Sequence, residues 1–431
     1  MTPSARLSAA IEVLADVEAR RRPAPDALKD WGLAHRFAGS GDRAAIASLT
    51  YDALRRRASA AWMMGSADPR AVLLGTLRLA RGLDRDAVAS LFSGDRFAPG
   101  KLTDDEAERL SFGRDALDGA PAHVACDVPD WIVASLEGTF GTDLVEEMAA
   151  LAGRAPLDLR VNTLKADRAH VLGELAHLAP VATPHSPWGV RVPFGEDGRG
   201  PAVHVDPAFL AGAFEIQDEG SQLAALLSGA VAGETVIDLC AGGGGKTLAL
   251  AAMMAGQGRL VATDADPRRL APIHARLSRA GASAVEVRTR RGTADPVADL
   301  DGRMDCVFVD APCTGSGTWR RNPDAKWRLR PGSLAGRIKD QAAVLDRAAR
   351  LVRPGGRIVY VTCSVLPEEN DGAVAGLLAR GAGLAVAPPD GIVAAAGLPA
   401  LAGAVRTMRA GVQMSPARTG TDGFYLAILR A

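Results

Sequence analysis

Two hydrophobic rhythms divide the chain. Up to about residue 120, apolar positions recur at helical spacing, as in Leu7, Ile11, Leu14 and Val17, and again in Ile46, Leu49 and Leu54. Few β-branched runs or turn pairs interrupt them, so the spacing predicts an all-helical domain over residues 1–122. Between 123 and 215 short extended segments, Leu157–Leu164 and Gly189–Val192, flank a helical stretch at Arg168–Leu178. Pro and Gly punctuate the loops there, which predicts a small α/β connecting subdomain. From 216 to 431 the pattern is regular. Predicted strands Thr235–Cys240, Arg259–Asp264, Val285–Thr289, Cys306–Asp310, Arg357–Cys363 and Phe424–Leu429 alternate with helices at Ser221–Leu227, from Lys246, at Pro267–Arg279 and at Leu334–Val352. That alternation implies an α/β domain with a doubly wound, mostly parallel sheet, whose ligands bind at the carboxyl ends of the strands.

Composition adds exclusions. The 431 residues are 48% hydrophobic, enough for sizeable cores in two or three domains. Fifty basic residues balance fifty acidic ones, so any nucleic-acid-binding face must be local. The cysteine count is odd, and no CxxC or Cys/His metal spacing occurs, so no metal site and no disulfide framework are expected. No apolar leader or membrane-length run is visible, and a monomer in a reducing cytoplasm is the expectation.

Candidate chemistry begins with Asp238-Leu239-Cys240-Ala241-Gly242-Gly243-Gly244-Gly245-Lys246-Thr247, a glycine-rich turn between a strand and a helix. Glycines let a ligand approach the backbone, and a helix N-terminus offers free N–H groups. A phosphate-binding P-loop would need glycine at Cys240, and the dinucleotide pattern would need glycine at Thr247; both fail. The next predicted strand ends at Asp264, placed to accept both ribose hydroxyls of a nucleoside, while Asp266 is the better cap for the helix at Pro267. Turn and acid together point to a nucleoside cofactor without a required phosphate, S-adenosylmethionine first among them.

Cys313 and Cys363 lie just past two predicted strands, in Asp310-Ala311-Pro312-Cys313-Thr314-Gly315 and Thr362-Cys363-Ser364. Cys126 and Cys306 read as buried small hydrophobes. A thiolate added to carbon 6 of cytosine makes carbon 5 nucleophilic enough to attack an electrophilic methyl group. Asp310 is placed to assist at the base or to touch the cofactor. These residues alone leave open which cysteine attacks and which helps release the product.

The motifs form a series that resembles the RsmB type of bacterial 16S ribosomal RNA cytosine-C5 methyltransferases, within the RsmB/NOP group. It comprises Leu159-Arg160-Val161-Asn162-Thr163-Leu164-Lys165, Gln217-Asp218-Glu219-Gly220-Ser221-Gln222, the 238–247 turn and 310–315. Arg320-Arg321-Asn322-Pro323-Asp324, Lys326-Trp327, Tyr360–Ser364 and Thr421-Asp422-Gly423-Phe424-Tyr425-Leu426 continue it. The resemblance implies a Rossmann-like class I methyltransferase fold, Cys363 as nucleophile and Cys313 as the residue assisting release. It implies cofactor contacts at Cys240, Ala241, Gly242, Gly243, Gly244, Gly245, Lys246, Asp264, Arg269 and Asp310, and an N-terminal domain similar to the NusB RNA-binding fold. Gly243 stands where the family commonly has proline. No acid immediately follows the third predicted strand (Asp295 is the next), and Gln413-Met414-Ser415-Pro416 replaces a more aromatic segment.

The expected partner is ribosomal RNA, offering an unpaired or flipped cytosine. Arg160, Asn162, Arg320, Arg321 and Lys326, with Trp319 and Trp327 interleaved, are the candidate RNA contacts. Other readings are the same chemistry on another ribosomal site or transfer RNA, and a non-catalytic RNA-binding assembly factor.

Overall fold

The computed structural model describes all residues except Glu196–Arg199, Arg291 and Thr293, and the side chain of Arg114. It divides into two compact units: Met1–Arg154 with Trp319–Arg330, and Ala155–Thr318 with Pro331–Ala431.

The first unit is helical. Helices Pro3–Arg20, Ala24–Ala34, Ser40–Arg55, Arg57–Met64 and Pro69–Leu79 bury the periodic residues read from the sequence, Leu7, Leu14, Val17, Ile46, Leu49 and Leu54 among them. Ala60 packs so closely on Gly75 that a Cβ at 75 would lie 2.7 Å from the Ala60 carbonyl oxygen. The unit extends past the expected boundary at 122, because helices Val133–Phe140 and Leu144–Leu151 belong to it. It also takes up Trp319–Arg330, whose Trp327 joins the same apolar core.

The second unit holds two sheets. β1 (Leu157–Val161), β2 (Val181–Ala182), β3 (Gly189–Val192) and β4 (Phe214–Ile216) form an antiparallel sheet in the order β2-β3-β1-β4. The larger sheet contains β5 (Thr235–Asp238), β6 (Arg259–Asp264), β7 (Glu286–Thr289), β8 (Met304–Asp310) and β9 (Val352–Thr362). β10 (Ala385–Val386), β11 (Arg406–Thr407), β12 (Val412–Met414) and β13 (Phe424–Arg430) complete it. Its order is β11-β12-β13-β9-β8-β5-β6-β7, with β10 paired to β13.

From β9 to β7 the pairings are parallel, as the alternation of strands and helices predicts. Both faces are buried: Cys306 and Phe308 of β8 enter one core, Val307 and Val309 the other. The strand order reverses at β5 and β8, next to which the glycine-rich turn and the Cys313 loop emerge. This is the switch point where open α/β sheets bind ligands.

Candidate active site

The glycine-rich turn leaves β5 and enters helix Gly245–Met253. Gly244, at φ 84°, begins that helix; a Cβ there would meet Ile273 at 2.5 Å, so only glycine fits. The turn is tied to β6 twice: Ala241 N–H donates to the Thr263 carbonyl (2.9 Å), and Gly242 N–H donates to Asp264 Oδ2 (2.9 Å). A further tie comes from helix Ile273–Ala280, where Arg276 donates to the Gly243 carbonyl at 2.8 Å and pairs with Glu215 of β4 at 2.9 Å. An anchored side chain thus fixes the backbone where proline stiffness is missing.

Beside the turn lies a cavity of about 560 Å³ lined by Cys240, Asp264, Arg269, Asp295, Pro312 and side chains of helix Pro331–Leu351. Its volume and its carboxylate at Asp264 suit a nucleoside-sized ligand. Burial, then Asp238, Asp264 and Asp310, push the Cys240 thiol well up, so it lines the wall as a neutral group. Asp295, the next acid after β7, reaches this wall.

Lys246 opens the helix after the turn and donates to Asp310 Oδ2 at 2.6 Å, with its ammonium 5.0 Å from the Phe424 ring centroid. Burial alone would lower its pKa. Asp310 outweighs that, with smaller contributions from Cys363 and Asp238, and keeps it charged. Asp238, fully buried and bonded by the Thr247 hydroxyl at 2.7 Å, is pushed up by burial to about 7.

The cysteines sit at the ends of adjacent strands. Asp310 of β8 pairs with Val361 of β9, so the loops that follow run together. Their sulfurs are 3.4 Å apart and both residues are half-buried. The loop after Cys313 is threaded tightly: Gly317 N–H donates to the Cys363 carbonyl (3.0 Å) and Gly423 N–H to the Gly317 carbonyl (2.8 Å). A Cβ on Gly317 would sit 2.0 Å from the Gly423 carbonyl oxygen. The hydrogen bond that the Cys313 thiol makes to Cys363, then burial, then the charges of Cys363 and Glu369, hold the Cys313 thiol well above its ordinary pKa.

Beneath both loops lies Glu369, fully buried, which the sequence pattern did not single out. It accepts from Thr314 N–H (2.8 Å), the Thr314 hydroxyl (2.5 Å), the Ser364 hydroxyl (2.5 Å) and Gln341 Nε2 (3.0 Å). Asn370 completes the floor, accepting from the Thr362 hydroxyl (2.6 Å) and donating to the Ser364 carbonyl (3.0 Å). The one signal for it in the sequence is Pro367-Glu368-Glu369-Asn370, a polar cluster just past Cys363.

Several expected RNA contacts are internal. Arg160 of β1 is fully buried opposite Glu215 of β4, and burial lowers its pKa to about 10. Asn162 donates to the Gly212 and Ala280 carbonyls, both at 2.9 Å. Lys326 is buried in the helical unit, donates to the Arg55 carbonyl at 3.0 Å, and is lowered by burial to about 8. Arg320 is buried too, while Arg321 is partly exposed. Nearby, Arg55 donates to the Arg320 carbonyl and Arg57 to Glu18. Arg160, Asn162 and Lys326, expected at the RNA, are instead turned inward by packing against buried carbonyls and carboxylates.

Among the described residues no group of three His, Cys, Asp or Glu could hold a metal ion, and no helix is long and apolar enough to cross a membrane.

Residues 225–430 match the family model of the 16S rRNA methyltransferase RsmB/F, and residues 128–193 match that of the ferredoxin-like domain of RsmF/B-like methyltransferases. A probable ribosomal RNA small subunit methyltransferase B of Synechocystis sp. is 35% identical over 253 residues, 57% of this chain and 55% of that protein. A ribosomal RNA small subunit methyltransferase B of Salmonella arizonae is 33% identical over 304 residues, 70% of this chain and 66% of that protein. The chain thus spans a little over half to about two thirds of these relatives' length. Among solved structures, the crystal structure of PH0851 matches all of this chain and 99% of its own, with a TM-score of 0.71 at 24% identity. NSun6 from Pyrococcus horikoshii, solved with SFG, matches 70% of this chain and 98% of its own, with a TM-score of 0.58 at 22% identity. Sequence and fold agree: the chain belongs to the RsmB/F methyltransferase family.

Proposed function

We propose that this protein is an S-adenosylmethionine-dependent methyltransferase that forms 5-methylcytosine in ribosomal RNA, and that its target is the small-subunit (16S) RNA. The observation that carries the reading is the pair of thiols 3.4 Å apart, on the rim where the glycine-rich turn and its cavity open. The names of the relatives support ribosomal RNA as the substrate, and the SFG with which NSun6 was solved supports the methyl donor.

Asp264 would hold the ribose hydroxyls of the donor, with Cys240 and Arg269 on the same wall and Ala241 to Gly245 shaping the turn. The donor supplies an electrophilic methyl group on a sulfonium. The Cys363 thiolate adds to carbon 6 of the cytosine, forming an S–C6 bond and loading carbon 5 with electron density. Carbon 5 takes the methyl group, and the donor's sulfur leaves as a neutral thioether. Water then takes the proton from carbon 5, the C5–H pair forms the carbon 5–carbon 6 double bond, and the S–C6 pair returns to the Cys363 sulfur; Cys313, beside that sulfur, assists this release. Asp310, held by Lys246, would assist at the base or touch the donor.

The helical unit, from the resemblance, is a NusB-like module that holds the RNA, and the protein acts as a cytoplasmic monomer. The test is transfer of labelled methyl groups to small-subunit ribosomal RNA, with bisulfite sequencing to locate the product. Transfer by the intact protein and none by Cys363→Ala is expected. Label on any atom other than cytosine carbon 5 would overturn the reading.

A further inference from the structure

Two thiols at 3.4 Å pose a problem of choice, since either could be the nucleophile by reach alone. Two thiolates that close repel strongly, so the useful state is the singly ionised pair, with one proton left between the sulfurs. Where that proton rests decides which sulfur attacks.

The two cysteine loops are not held alike. Glu369 is fully buried and holds the residue after Cys313 by both its backbone N–H and its hydroxyl, through separate carboxylate oxygens. The same carboxylate holds Ser364, the residue after Cys363, only through the hydroxyl. Its charge acts on Cys313 and favours the protonated thiol. On the other side stands Lys246, kept charged by Asp310 and coupled electrostatically to Cys363.

We propose that Glu369 is a positioning residue that selects the nucleophile: it locks the two cysteine loops in register and keeps the remaining proton on Cys313, leaving the electron pair on Cys363. The neutral Cys313 thiol then donates a hydrogen bond to the Cys363 thiolate. This assignment deepens the reading of Cys363 as the attacking group and rests on it for its meaning in catalysis. The electrostatic claim itself concerns only the free protein.

The experiment is therefore done without RNA or donor. The full chain is alkylated with iodoacetamide across pH, and labelling at each cysteine is resolved by peptide mass mapping. In the wild type, Cys313 is labelled only at pH well above the ordinary thiol range. In Glu369→Gln the charge is gone, and the Cys313 midpoint moves down by about one pH unit, the size of a close charge's effect. A purely structural role would change labelling rates without moving that midpoint, and an unmoved midpoint overturns the proposal. Thr314→Val serves as the second variant if Glu369→Gln does not fold. It loosens the clamp and leaves the charge, so the Cys313 midpoint must not fall and methyl transfer drops by up to about 100-fold. A midpoint that falls in Thr314→Val contradicts the role of the charge. Should the midpoint shift as expected while Cys363→Ala still methylates RNA, the selector stands and the functional reading falls.

Discussion

The sulfurs of Cys313 and Cys363 lie 3.4 Å apart although fifty residues separate them. Strand pairing brings this about: β8 and β9 are parallel neighbours, so the residues just beyond their carboxyl ends must meet. The two thiols are brought together by the sheet itself, and the loops need only be held still.

The brace on the cofactor turn makes the first prediction. Arg276 joins the Gly243 carbonyl to Glu215, bracing the turn at the glycine where the family resemblance leads one to expect proline. Arg276→Leu should weaken binding of S-adenosylhomocysteine about tenfold in calorimetry, the worth of one charge-assisted hydrogen bond of about 1.4 kcal/mol. Adding Gly243→Pro should recover part of that loss, because proline fixes the backbone without the arginine. Equal affinity in Arg276→Leu and the wild type would show that the turn needs no brace.

Asp238 gives a pH dependence. Its folded pKa of about 7 lies above the unfolded value of 3.8, so the folded state binds the extra proton. Its contribution is full below about pH 4 and is lost as pH rises through about 7. Asp238→Asn removes the cost of ionising a buried carboxyl. It should therefore raise the melting temperature relative to wild type at pH 8 more than at pH 5. The difference in stability is at most on the order of 4 kcal/mol. A constant difference across that range would contradict burial as the cause.

Lys326 tests the corrected map of RNA contacts. The buried amine is tied to the Arg55 carbonyl, with Trp327 beneath it. Lys326→Gln should leave the salt dependence of RNA binding unchanged, whereas losing a true phosphate contact lowers the slope of log K against log salt by about one. Filter binding from low to moderate salt distinguishes the two.

Much of the sheet was legible because its long strands are buried on both faces and flanked by helices. β6 runs over Arg259–Asp264, as the apolar run ending in an acid predicts, and β8 also ends at Asp310. The short strands β2, β4 and β10 to β12 carry two or three residues each and have no periodicity of their own; they are strands only through their partners. The turn, Asp264 and both cysteines were readable as single positions at strand ends. Glu369 was not, since its meaning comes from Thr314 and Gln341, brought to it by the fold. Arg160 and Lys326 were misread because a cation in the sequence looks the same whether water or a buried carbonyl receives it.

In the proposed reaction Cys363 forms the bond to the base and Cys313 helps break it. Denaturing electrophoresis of the protein with S-adenosylmethionine and small-subunit ribosomal RNA tests this directly. Cys313→Ala should accumulate a covalent protein–RNA adduct, and Cys363→Ala should form none. An adduct that appears with Cys363→Ala and not with Cys313→Ala would reverse the two roles.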